Sequence, residues 1–473
     1  MTRVWSFFYV GYWIFAVLNA CTNNHDDHII TVDPHSFELL SADTSILSLN
    51  IEGSGNIADF SLSDRFPNLE SLSILFTPDL ITLPTDLNQL PHLQKVELIG
   101  TTFTELPHQI SDLSVSQLVI AHNPLLVTIP NLQGMIEELS IQSNPQLTNL
   151  SSAFGDPNHL KRLNLSNNTL DVLPDTIGQY EDIVTLSVEG NELQSLPESI
   201  RGLRRLRTLD ISDNPLTVLP DAFGEFPDLE ELRLHNLDKL IQLPDISGLK
   251  RLRSLSIVGC TQLVALPNSL TTLHSLESLE VYATSITTIP EDTFDLTRLE
   301  RVKVRMNPLL NRLPEALGTG PKLHFLMLDQ NGLVEIPPSI GDLTSLSALF
   351  LDENQLEELP DHLCRMTTIE ELSLAQNRLS DLCSNIGELK ALRKLNLFGN
   401  PIQTLPQSME RLSHLEFLNL WDVPFSVEPT LLYEMRSLQI IGVNTPDDHP
   451  SPDIIRLMRQ RLSENVQFMD PDI

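Results

Sequence analysis

Apolar residues recur along this chain in the frame L-x-x-L-x-L. From Leu160 it reads L-K-R-L-N-L-S-N-N-T-L-D-V-L-P-D-T-I-G, and from Leu206 L-R-T-L-D-I-S-D-N-P-L-T-V-L-P-D-A-F-G. The frame opens at Ile46, Leu69, Leu93, Val115, Ile136 and Leu160 and runs on to Leu438, giving about eighteen turns of roughly 23 residues. Alternation within L-x-L predicts one short strand per turn, with Leu163 and Leu165, or Leu209 and Ile211, pointing inward and their neighbours outward. Stacked turns would set these strands side by side as one parallel sheet. A repeat of this extent overrides the two or three globular domains that 473 residues would otherwise suggest.

Two further positions of the frame carry a chemical meaning. Asn168, Asn191, Asn214, Asn307, Asn331, Asn354, Asn377 and Asn400 stand where the chain leaves the strand inside an apolar stack. Backbone groups there need partners, and a carboxamide both donates and accepts. Prolines such as Pro174, Pro197, Pro220 and Pro337 follow the next leucine or isoleucine, where no sheet donor is required. Too few residues remain in each turn for a long helix, so short helical or irregular segments are expected from Asp175 or Asp361 onward.

These residues resemble the leucine-rich-repeat family, in particular its Ras-suppressor-type repeat with L-P-x-x-I in the second half. The resemblance covers almost all of the chain after the first twenty residues. It implies an α/β solenoid: a curved stack with a single parallel sheet on the concave face and short helical or irregular segments on the convex face, the asparagines forming a ladder. Both ends of such a stack need caps. The expected organisation is an N-terminal segment 1–20, a linker and cap 21–45, the solenoid 46–445, and a C-terminal cap 446–473. In that last cap Ser451, Pro452 and Asp453 start a helix whose apolar face is Ile454, Ile455, Leu457, Met458 and Leu462, followed by a short strand at Val466 to Phe468.

Composition sharpens the partner class. The chain is 41% apolar but only 5% aromatic, so its core is aliphatic. Thirty basic residues stand against 63 acidic ones for a net charge of −33, which repels phosphate backbones and makes nucleic acid an unsuitable partner. At the N-terminus Arg3 precedes an apolar run from Val4 to Leu18, too short to span a bilayer and laid out like a signal peptide. Leu18, Asn19 and Ala20 before Cys21 resemble a bacterial lipobox, which implies acylation of Cys21. Membrane association would then be through that lipid alone, at the outer membrane or cell surface of a bacterial envelope. The alternative destination is secretion, as an effector that binds host signalling proteins. Cys260, Cys364 and Cys383 read as small apolar residues in repeat positions, with no disulfide framework or zinc site.

The sequence contains no G-x-x-x-x-G-K, H-E-x-x-H, G-x-S-x-G or C-x-D motif, so the chain is expected to be no enzyme and to need no metal or cofactor. Asp329 and Asp352, equivalent in adjacent turns, are a paired-carboxylate position that reads first as solvated acid. Outward strand positions are the candidates for binding, and in the early turns they are small or polar, such as Ser71, Ser187, Ser254 and Ser256. The later turns place Tyr282, Arg301, Lys303, Arg305, Phe325, Met327, Phe350, Phe398, Phe417 and Trp421 there. Aromatic side chains beside arginine are the composition of interface hot spots. The expected function is therefore that of a monomeric scaffold binding a protein ligand through the concave face.

Overall fold

The computed structural model describes residues 28–36, 40–57, 60–150, 154–317, 320–444, 452–462 and 466–469. The N-terminal apolar run and Cys21 lie outside them. The chain forms two compact units, Met1–Gln146 with Ala153–Asp156, and Leu147–Ser152 with Pro157–Ile473.

In the first unit β1 (Ile29–Val32), β2 (Ser48–Glu52), β3 (Ser71–Leu75), β4 (Lys95–Ile99), β5 (Gln117–Ala121) and β6 (Glu138–Gln142) pair consecutively and in parallel. One helical turn, α1 (Leu62–Arg65), connects β2 to β3, and Ser61 caps it by accepting from the Asp64 N–H. Strand β1 precedes the first frame and covers β2 edge to edge, with Ile29 opposite Ser48 and Val32 opposite Ile51.

The second unit repeats the arrangement. Its strands are β7 (Arg162–Asn164), β8 (Thr185–Ser187), β9 (Thr208–Asp210), β10 (Glu231–His235), β11 (Ser254–Val258), β12 (Ser278–Tyr282) and β13 (Arg301–Arg305). They continue as β14 (Phe325–Met327), β15 (Ala348–Phe350), β16 (Glu371–Ser373), β17 (Lys394–Asn396), β18 (Phe417–Asn419), β19 (Ile440–Gly442) and β20 (Gln467–Phe468). Each pairs in parallel with the next, frame position against frame position. The inward leucines are fully buried, as at Leu209, Ile211, Leu326 and Leu328. Short 3-10 turns begin directly after the frame proline, at Asp175–Gln179, Glu198–Gly202 and Asp221–Gly224. They stack so closely that a Cβ on Gly202 would run into the carbonyl oxygen of Gly178.

The asparagine position satisfies backbone groups in two turns at once. Asn354 Nδ2 donates to the carbonyls of Leu328 (2.9 Å) and Leu351 (3.0 Å), while its Oδ1 accepts from the Leu333 N–H (3.2 Å). The first unit has a ladder of its own at Asn123 and Asn144, and Thr101 and Thr284 stand in for asparagine by donating their hydroxyls to Asn123 and Asn307. Cys260 fills the same place, its thiol donating to the Leu234 carbonyl; burial pushes it up to about 11, so it stays protonated. The preceding residue is left-handed in turn after turn, for example Asn167 (φ 58°), Met306 (φ 56°), Gln330 (φ 54°) and Glu353 (φ 52°), with glycine at Gly190, Gly259 and Gly399. That reversal aims the asparagine back into the stack. It costs a non-glycine residue roughly 1–2 kcal/mol, which the buried hydrogen bonds offset.

Two expectations need revision. Cys364 and Cys383 are not isolated small residues: they form a disulfide across adjacent turns, with Cα atoms 6.5 Å apart. Their frame positions differ, Cys364 lying within the 3-10 turn Leu363–Arg365 and Cys383 replacing the proline, and stacking brings them together. The C-terminal helix is present as α2 (Pro452–Leu462), but its buried face is Ile455, Met458 and Leu462, whereas Leu457 is exposed. Among the described residues no helix is long and apolar enough to cross a membrane.

Candidate functional site

In-register pairing sorts the outward residues of β12–β18 into rows. The first row holds Arg301, Phe325, Ala348, Glu371, Lys394 and Phe417, and the second Lys303, Met327, Phe350, Ser373, Asn396 and Asn419. A third row continues past the strand ends as Tyr282, Arg305, Asp329, Asp352, Ala375, Phe398 and Trp421, carried by ladder bonds such as Gln330 N–H to Asp352 O (2.8 Å). All ten residues anticipated as ligand-binding lie on this face: Arg301 is exposed and the other nine are half-buried.

The face is not one continuous aromatic surface. Phe325 and Phe350, diagonal neighbours, contact each other with ring centroids 5.4 Å apart. Arg301 lies over Phe325 at 5.7 Å from its centroid, and Arg305 over Tyr282 at 5.7 Å. The cationic spot expected here is largely neutralised, because Lys303 Nζ sits 3.8 Å from Glu280 and Arg305 sits 3.8 Å from Asp329 Oδ2. Phe398, Phe417 and Trp421 form a second group beyond the small and polar residues of β16. Trp421 leans toward the last turns: a Cβ on Gly442 would stand 2.7 Å from its Cδ1, and its Nε1 is shielded without a hydrogen-bond partner.

Between the two groups lies a hollow of about 270 Å³, walled by Phe350 and Phe417 and lined by Asp352, Glu371, Ser373, Lys394 and Asn396. Of these only the two phenylalanines and Asp352 stand out in the sequence. The others declare themselves only through the drop in side-chain size across Ala348, Ser373 and Ala375. Asp352 accepts from Ser373 Oγ at 2.6 and 2.8 Å and from the Ala375 N–H at 2.6 Å, and Asn396 donates to Ser373 Oγ at 3.0 Å. Lys394 Nζ pairs with Glu371 at 3.3 Å. One turn away Asp329 is 8% exposed, and its Oδ1 has no hydrogen-bond partner. Burial, and then the Asp352 charge, push its carboxyl up to about 6 against the pull of Arg305. Burial also raises Asp352, opposed by the Ser373 and Ala375 hydrogen bonds.

The profile of the leucine-rich repeat region family matches residues 143–259, and a second leucine-rich-repeat profile matches residues 321–379. The solved structure of a leucine-rich-repeat protein of Leptospira interrogans is 26% identical, covers 88% of this chain and 93% of its own, and superposes with a TM-score of 0.63. This chain is a leucine-rich-repeat protein. The glycosylated Toll–Spatzle complex of Drosophila shares the fold, with a TM-score of 0.70 at 17% identity over 93% of this chain and 68% of that one. A protein of Arabidopsis thaliana named for disease resistance is 25% identical over 135 residues. That stretch is 28% of this chain and 11% of the plant protein, so the chain matches only a small part of that relative's length.

Proposed function

We propose that this leucine-rich-repeat protein is a non-catalytic, monomeric scaffold that binds a protein ligand on the outward face of β12–β18, and that a lipid on Cys21 tethers it to a bacterial envelope. The observation that carries the binding reading is the Phe325–Phe350 contact with Arg301 over it, on a solvent-facing surface. In a chain only 5% aromatic, packing does not require large rings there, and half-buried aromatic and arginine clusters dominate interface energetics. The Toll–Spatzle complex supports the reading at the level of fold, since the same architecture there engages a protein ligand. The Cys364–Cys383 disulfide supports a place outside the reducing cytosol. A net charge of −33 favours a partner with basic groups and disfavours nucleic acid.

The test compares capture from envelope extract by wild type, by Phe325→Ala with Met327→Ala, and by Ser254→Ala. Loss of a partner on the β14 substitutions, about 2 kcal/mol or more for a hot-spot aromatic, is the expected result, with Ser254→Ala silent. Capture unchanged by the β14 pair would move the binding site elsewhere.

A further inference from the structure

On β12–β14 this face seats its own arginines on its own rings: Arg301 on Phe325, and Arg305 on Tyr282 with its other side toward Asp329. Three turns later the acids and rings recur without the arginine. Along the third row the order is Arg305, Asp329, Asp352, Ala375, so Asp352 has Asp329 on one side and a methyl group on the other. Ser373 bonds to both oxygens of its carboxylate and Ala375 to one of them, and Asp352 lines the hollow between Phe350 and Phe417. Lys394 supplies a cation there, but Glu371 already holds it, so the two acids and one base lining the hollow leave an excess negative charge.

We propose that this hollow is a subsite for an arginine side chain of the protein partner, whose guanidinium stacks on Phe417, the wall opposite the Phe325–Phe350 pair, and donates to Asp352 and Glu371. The proposal rests on the reading of this face as protein-binding and deepens it. Four features favour guanidinium over other groups. The ring walls suit a flat cation, the carboxylates suit its fork of donors, the volume of about 270 Å³ admits one side chain, and the molecule uses the same pairing internally two strands away. An anionic occupant would meet Asp352 and Glu371, and an aliphatic one would leave Ser373 and Asn396 against apolar surface.

The probe is Nα-acetyl-arginine methylamide, titrated into the deuterated full chain with the neutral citrulline analogue as control, and followed in amide TROSY spectra. The expected result is saturable shifts at Ser373, Asn396 and Phe417, with the citrulline analogue weaker by about tenfold because a charged donor is lost. Phe417→Leu should weaken the arginine probe about two- to fivefold, the worth of one exposed cation–π contact. Asp352→Asn should weaken it further; because Asp352 also holds Ser373 and Ala375, Glu371→Gln provides a second acid substitution that leaves those bonds in place. Equal response to the two probes, shifts mapping outside β15–β18, indifference to Phe417→Leu, or no saturable shift at all would each overturn the subsite. Those outcomes leave the capture experiment on Phe325 and Met327 standing, so the two readings fail separately.

Discussion

Asn354 closes backbone hydrogen bonds in two turns, so Asn354→Leu strands the Leu333 N–H in the core, while the carbonyls of Leu328 and Leu351 each lose one of two donors and keep those of Asn331 and Asn377. A buried orphan costs about 1–3 kcal/mol, and the urea midpoint should fall accordingly, whereas Ser254→Ala on the solvent face should change stability by no more than about 0.5 kcal/mol. The ladder was legible because the same residue returns at the same place turn after turn. Its threonine members, Thr101 and Thr284, were not, since a single substitution in a frame looks like noise until the hydroxyl is seen donating to Asn123 or Asn307. Asp329 makes a different prediction. Its carboxyl is raised to about 6 in the folded chain by burial and by the Asp352 charge, with Glu353 adding to the repulsion and Arg305 opposing it. The folded state therefore holds this proton more tightly than the unfolded chain, whose carboxylate titrates near ~3.9. This contribution to stability is complete below the unfolded value and is lost as pH rises through about 6. Wild type should lose more stability between pH 5 and pH 7 than Asp329→Asn does, as read by urea midpoints at the two values; equal losses would show that Asp329 does not titrate in that window.

At the scale of elements, each strand is only a few residues long and derives its stability from the turns on either side, as expected of a stack in which every repeat contacts its neighbours. The disulfide reinforces one such junction, linking Cys364 and Cys383 over a separation of 19 residues. Closing a loop of that size is worth about 3 kcal/mol in the chain-entropy account. Adding dithiothreitol to wild type should lower its unfolding midpoint by about that amount, Cys364→Ser with Cys383→Ser should show the lowered value from the start, and the reductant should not affect that variant. Helix α2 and strand β20 were anticipated from Pro452, Asp453 and the apolar spacing after them. Ile455, Met458 and Leu462 face inward as anticipated, but Leu457 does not, because the direction in which the helix docks on the last turns narrows the buried face. On the binding face, the sequence showed which side chains point out, but the register decided which of them touch. Phe325 meets Phe350 because they are diagonal neighbours, whereas Phe417 is separated from both by the polar outward residues of β16 and β17.

For the whole molecule, a net charge of −33 and an apolar N-terminal run before Cys21 bear on where the protein resides and on what it meets. If a lipid on Cys21 is the tether, Cys21→Ser should move the protein from the membrane fraction to the soluble one, and mass spectrometry of the mature N-terminus should find acyl chains on wild type alone. An unmodified wild-type N-terminus would point to secretion instead. The repeat, its strands, the inward leucines, the asparagine ladder and the proline before 3-10 turns such as Asp175–Gln179 and Glu198–Gly202 were determined by sequence alone, because each depends on a residue's place within its own turn and that place recurs. The left-handed residue ahead of the ladder position, the Cys364–Cys383 bond, the pairing of Lys303 and Arg305 with acids, and the hollow between Phe350 and Phe417 were decided only by tertiary structure. Each of these depends on how one turn is offset against the next, a relation between residues about twenty positions apart that no single turn encodes.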